Sequence, residues 1–153
     1  LFMTQGVLAN IMGRRILVPV DGSEQSRDAC AFAIEEYPDG ELVLLHVINP
    51  AEAGYSAQAS IPSFSEEWYE QAKEEADELF EEVRSEASEA GMEVSSDTVV
   101  GKPSRAIVEY AEGNEIDQIV MGSHGRSGVT RILLGSVAES VVRESSVPVT
   151  VAR

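Results

Sequence analysis

Five short apolar runs alternate with four stretches of helical spacing, and that alternation leaves few folds open to the chain. The runs are residues 15–20, 42–48, 92–100, 118–121 and 147–151. Between them, apolar side chains recur at three- and four-residue intervals, the signature of a helix with one buried face. Ala29, Cys30, Ala33, Ile34 and Tyr37 mark the first helix, predicted over residues 24–37. Trp68, Ala72, Ala76, Leu79, Phe80, Val83, Ala87 and Ala90 mark a long second one that Gly91 ends. Ile107, Tyr110 and Ala111 mark the third, with Pro103 in its first turn, and residues 136–144 form the last. The run 42–48 is apolar apart from His46, as expected of a strand covered on both faces. The run 92–100 carries serines and an aspartate and reads as a sheet edge. Strand and helix repeated four times and closed by a strand predict an α/β fold. The sheet is parallel, with right-handed crossovers and helices on both faces. Residues 49–65 show no periodicity and read as a long connection, which in a compact domain tends to be functional or mobile.

In open sheets of this class, ligands sit beyond the carboxyl ends of the strands, where the strand order reverses. Three segments meet there: Pro19-Val20-Asp21, Val47-Ile48, and the stretch from Met121 to Ser136. The last contains GSHGRSGVTRILLGS, with Gly122, Gly125, Gly135 and then Ser136. Gly122 and Gly125 can leave room for a ligand against bare backbone. Gly135-Ser136 opens a helix, whose unpaired N–H groups and dipole favour an anion. Arg126 and Arg131 can assist. The same residues also suit an ordinary turn followed by a serine N-cap, and position alone leaves both readings open. Asp21 likewise suits either a nucleoside, as an acceptor for ribose or adenine donors, or an N-cap for the first helix. Val47 offers an apolar wall. His124 lies inside the glycine-rich loop and is a candidate ligand contact, whereas His46, in a buried strand, reads as a satisfied core histidine. Neither a Walker loop nor a dinucleotide fingerprint is present, and the two histidines and one cysteine have no metal-ligand spacing.

Charge excludes some partners. The 153 residues hold 27 acidic and 11 basic side chains, a formal net of −16, with Lys73 and Lys102 the only lysines. Such a field repels nucleic acid and anionic membranes. Acidic residues are spread along the chain instead of being gathered in a tail, which suits a protein of a salt-rich, halophilic cytoplasm. No apolar stretch approaches the ~20 residues of a spanning helix. One cysteine excludes an internal disulfide, and residues 1–10 lack the features of a secretory signal, so a cytoplasmic location is expected. Residues 1–12 read as an N-terminal extension and 13–153 as one domain.

The segments ILVPVDGSE, LVLLHVI, GKPSRAIVEYA, IVMGSHGRSG, LLGSVAESVV and VPVTVAR together resemble the universal stress protein family. The most specific feature is the spacing G-x2-G-x9-G-[ST], met by Gly122, Gly125, Gly135 and Ser136. In that family it marks the members that bind ATP. The resemblance implies a Rossmann-like, five-stranded parallel sheet in the order 3-2-1-4-5. It places adenosine near Asp21 and Val47, with Pro19 and Met121 lining the pocket. The triphosphate, with magnesium, lies against Gly122, Gly125, Ser136 and neighbouring amides, Arg126 and Val137 among them. It also implies a homodimer through the last strand. The function expected is a stress-response or regulatory module in which the nucleotide is a switch or a structural ligand. The alternative is a slow ATPase or phosphotransfer enzyme on the same site, although no carboxylate in the glycine loop is placed to orient water and no catalytic residue is assigned. A third reading, a protein-interaction domain with an empty site, requires the glycines to be incidental.

Overall fold

The structure, a computed structural model, describes residues 14–52, 66–123 and 134–152. In chain order these hold β1 (Arg15–Pro19), α1 (Glu24–Glu36), β2 (Glu41–Ile48), α2 (Glu66–Glu89), β3 (Glu93–Val100), α3 (Pro103–Gly113), β4 (Gln118–Gly122), α4 (Ser136–Glu144) and β5 (Val149–Ala152). The strands form one sheet in the order β3-β2-β1-β4-β5, and every pairing is parallel. Class, order and direction are those expected. The N-terminal extension assigned to residues 1–12 and most of the 49–65 connection lie outside the described residues.

Side chains alternate across a strand, so a strand between two helical layers must be apolar at every position. On one face Ile16, Val18, Leu42, Leu44 and Val120 pack under Ala29, Cys30 and Ala33 of α1 and Ala76, Phe80, Val83 and Ala87 of α2. On the other face Leu17, Val43, Leu45, Ile119 and Met121 pack under Ile107 and Ala111 of α3 and Ala138 and Val141 of α4. The alanines let the helices lie close to the sheet. Cys30 is a core residue, 1% exposed, and burial, with Glu86 adding to it, pushes its thiol up to about 12. β3 has no fully buried position, in keeping with its place at the edge.

The element ends differ from the sequence reading by a residue or two, each for a local reason. Tyr37 is the C-cap of α1 and not its last turn. Ala90 lies beyond α2 and is exposed, because the chain has already turned: Gly91 N–H donates to Ser88 and Met92 N–H to Ala87. β5 begins at Val149 instead of Val147, since Val147 is held in a turn by the Ser145 hydroxyl and Pro148 has no N–H to give a ladder. The carbonyls of Pro148 and Ala152 accept from Ile119 and Ser123 of the β4 side. With a period of two along the strand, Val149 and Val151 therefore turn their backbone groups to the open edge.

Candidate ligand-binding site

β1 and β4 are neighbours at their amino ends and part company at their carboxyl ends. Their register covers Ile16 with Gln118 and Leu17 with Ile119 and goes no further. Beyond it the crevice widens into a pocket of about 360 Å3, a size suited to a small ligand. Pro19, Asp21, Val47, Met121, Gly122, Gly135, Ser136 and Val137 all line it. Ile48, grouped with Val47 in the sequence reading, does not; it is buried in the sheet, and its carbonyl accepts from Gly101 N–H. His124, Gly125 and Arg126, with Arg131, lie outside the described residues.

The loop between β1 and α1 is closed by short hydrogen bonds. Asp21 Oδ1 accepts from Ser23 N–H at 2.9 Å. Ser23 is the N-cap of α1, its hydroxyl accepting from Ser26 N–H at 3.1 Å, and the Ser26 hydroxyl donates to Ser23 O at 3.0 Å. Gly22 takes the left-handed conformation the turn requires, φ 83°. The cap of α1 is thus Ser23 and not Asp21, as the sequence allowed. Asp21 stands ahead of it, solvent-exposed, at the wall of the pocket. Partial burial raises its pKa, but the hydrogen bonds from Ser23 and Ser26 outweigh that and hold it below the usual 3.8. Asp21 is therefore an anion and a pure acceptor at neutral pH. The stability its bonds supply is present above 3.8 and is lost as pH falls through the lowered value.

On the opposite wall, α4 begins with Gly135 as N-cap and no side chain capping it. Ser136 is its first helical residue and is exposed, so it is not the N-cap that a serine after glycine suggested. Among the described residues no side chain caps the first turn of α4, and Ser136, Val137 and Ala138 line the pocket there. Gly122 plays a part that its spacing did not disclose. A Cβ built there would lie 2.2 Å from the carbonyl oxygen of Gln25 and 2.8 Å from its Cβ. The space beside Gly122 is filled by the first turn of α1, not left open for a ligand.

The sequence missed several residues of this pocket. Gln25 and Ser26 from α1, Pro103 and Ile107 from α3, Glu52 after β2, and His46 all line it. The capping pattern that opens α1 and the proline that opens α3 were visible, but not that both helix starts face one crevice. His46 has a partner, its Nδ1 lying 2.7 Å from Val20 O, but it is not the core histidine expected: it is half-buried and lines the pocket. A second depression, about 480 Å3, lies at the amino ends of the strands, lined by Arg14, Arg15, Asp39, Glu41 and Glu93 among others. Part of its charge is paired internally, Arg15 with Glu41 at 3.1 Å. Among the described residues no three His, Cys, Asp or Glu side chains gather to hold a metal ion, and no helix is long and apolar enough to cross a membrane.

Comparison with known proteins agrees with this architecture. The sequence model of the universal stress protein family matches residues 12–153. Universal stress protein MJ0531 of Methanocaldococcus jannaschii is 37% identical over 144 residues, covering 92% of this chain and 82% of its own. Universal stress protein MJ0577 of the same organism is 35% identical over 159 residues, covering 94% of this chain and 97% of its own. The solved structure of MJ0577 superposes with a TM-score of 0.74 over 92% of this chain and 96% of that one. A universal stress protein solved in complex with cAMP superposes with a TM-score of 0.59 at 25% identity, over 93% and 98% of the two chains.

Proposed function

This chain belongs to the universal stress protein family, and we propose that it binds ATP in the crevice between β1 and β4, as a regulatory module of the stress response. One observation carries the reading: the first turn of α4, which no side chain among the described residues caps, and the anionic acceptor Asp21 border the same pocket. Those are the two ends of a nucleotide. Asp21 can accept from ribose hydroxyls or the adenine amine, against the apolar surface of Val47, Pro19 and Met121. The α4 amides and the Ser136 hydroxyl can receive phosphate oxygens. Gly122 ends β4 at the pocket, and His124, Gly125 and Arg126, which follow it in sequence, are the further phosphate contacts the reading assigns. The relative solved with cAMP supports an adenine nucleotide as the ligand class. Magnesium accompanies the triphosphate and shares its charge, which matters in a chain of net charge −16.

The nucleotide acts as a switch or a structural ligand, since binding needs no catalytic group. Mass spectrometry of small molecules released from the purified protein should show an adenine nucleotide. Titration calorimetry should show that Asp21→Ala weakens adenosine and ATP by the same factor, because its contact is with the nucleoside. A loss confined to ATP would remove Asp21 from the base end, and a parent that binds neither ligand would overturn the proposal.

Two further properties go with it. The free backbone groups of Val149 and Val151 suit antiparallel pairing with a second copy across a two-fold axis. Pro148 does not obstruct this, since its carbonyl faces β4 and in an extended residue the nitrogen faces the same way. Val149 packs on the core, so Val151→Lys is the cleaner test. Light scattering should give a dimer for the parent and a monomer for Val151→Lys, and a monomeric parent at micromolar concentration would exclude this interface. The acidic surface suits high salt. Melting temperature should rise from dilute to molar potassium chloride as the Debye length shrinks to about 3 Å; a flat or falling curve would end the halophilic interpretation.

A further inference from the structure

β1 loses its support step by step just before Asp21. Its ladder with β4 ends at Leu17, and its ladder with β2 ends at Pro19 opposite Leu45. Beyond that, Val20 N–H donates to Leu45 O at 2.8 Å, and the next peptide group leaves the sheet. That group joins Val20 C=O to Asp21 N–H, and its planarity puts oxygen and hydrogen on opposite sides. The oxygen is 2.7 Å from His46 Nδ1. The nitrogen faces the Ser26 hydroxyl at 3.5 Å, a long contact, so the histidine supplies the short bond that orients the plane. A carbonyl oxygen only accepts, so Nδ1 must carry the proton. This fixes the tautomer of neutral His46 and leaves Nε2 as an acceptor.

We infer that His46 is a positioning residue for the ligand site: by donating from Nδ1 to Val20 O it orients the Val20–Asp21 peptide and so aims the Asp21 carboxylate into the pocket. The inference rests on the proposed nucleotide site for its effect on binding, but the hydrogen bond itself can be tested without ligand. His46 lies on β2, an interior strand paired on both edges with β1 and β3, and the loop it holds is exposed at Asp21 and Gly22. The bond therefore ties the exposed loop at the site to a strand paired on both sides.

Two measurements test it. In ligand-free protein above the ordinary imidazole range, long-range proton–nitrogen NMR should find neutral His46 protonated at Nδ1; protonation at Nε2 overturns the inference whatever the protein binds. The second is ATP titration of three variants. Asparagine places its amide nitrogen where Nδ1 stands, so His46→Asn should keep affinity within about threefold of the parent. His46→Gln, with its amide one atom too far, and His46→Phe, with none, should weaken binding about tenfold, the upper end for one hydrogen bond. In an Asp21→Ala background His46→Phe should cost nothing more, because the aimed group is gone. Equal affinity in all three variants, or equal loss in all three, overturns the positioning role. A parent that binds no ATP defeats the nucleotide reading instead and leaves the tautomer to decide this one.

Discussion

Gly122→Ala is expected to destabilise the protein by about 3 kcal/mol, the upper end of ordinary overpacking, and to do so with no nucleotide present. The added methyl would meet Gln25 O at 2.2 Å and Gln25 C at 2.5 Å. Both are backbone atoms, so no rotamer change relieves the clash and the start of α1 must move away from β4. In a domain of this size the cost corresponds to a fall of about 6–12 °C in melting temperature. The displacement would also reach the pocket, since Gln25, Ser26 and Ser23 line it from the same turn of α1. Nucleotide affinity should therefore fall along with stability. Differential scanning calorimetry of the ligand-free variant decides the matter. A melting temperature within about 1 °C of the parent would mean that β4 and α1 separate easily and that Gly122 serves the ligand after all.

The glycine illustrates what a sequence conceals. Spacing alone made Gly122 a candidate for ligand approach, because glycine frees space for whatever comes near. What comes near is a helix turn encoded far earlier in the chain, and only tertiary structure brings it there. Ser136 and Asp21 are similar cases. Both were legible as capping candidates, yet Gly135 and Ser23 hold the caps. A cap depends on the dihedral angles at one residue, and side-chain chemistry cannot distinguish adjacent positions. The layers, by contrast, were legible throughout. β1, β2 and β4 must be apolar on both faces to lie between two helical layers, and β3 could keep Ser95, Ser96 and Asp97 only at an edge. The strand order was not in the periodicity, because any right-handed parallel arrangement would give the same pattern. It came from the resemblance to a family, and the observed order agrees with it. The residues of the pocket that went unread, Gln25, His46, Pro103 and Ile107, carry ordinary core or capping patterns. Their shared role exists only where their helices and strands end together.

Ser136→Asp should separate folding from binding by moving them in opposite directions. Ser136 is the first residue of α4, is exposed, and has no capping side chain ahead of it. A carboxylate in the first turn interacts favourably with the helix dipole by about 0.3–1 kcal/mol, so the variant should melt no lower than the parent in moderate salt. The same carboxylate occupies the position assigned to a phosphate. Two unit charges about 4 Å apart near a protein surface repel by about 4 kcal/mol, and a triphosphate carries more than one. ATP affinity should therefore fall by at least about a hundredfold, or about 2.8 kcal/mol. Adenosine, which has no phosphate, should lose little. Ser136→Ala removes only one donor to an anion and should cost about 1.5–3 kcal/mol of ATP binding. Calorimetric titration of both variants with ATP and with adenosine, beside their melting curves, separates the possibilities. Unchanged ATP binding in a stable Ser136→Asp protein would move the phosphates off α4, whereas equal loss of ATP and adenosine would point to a rearranged pocket in place of charge repulsion.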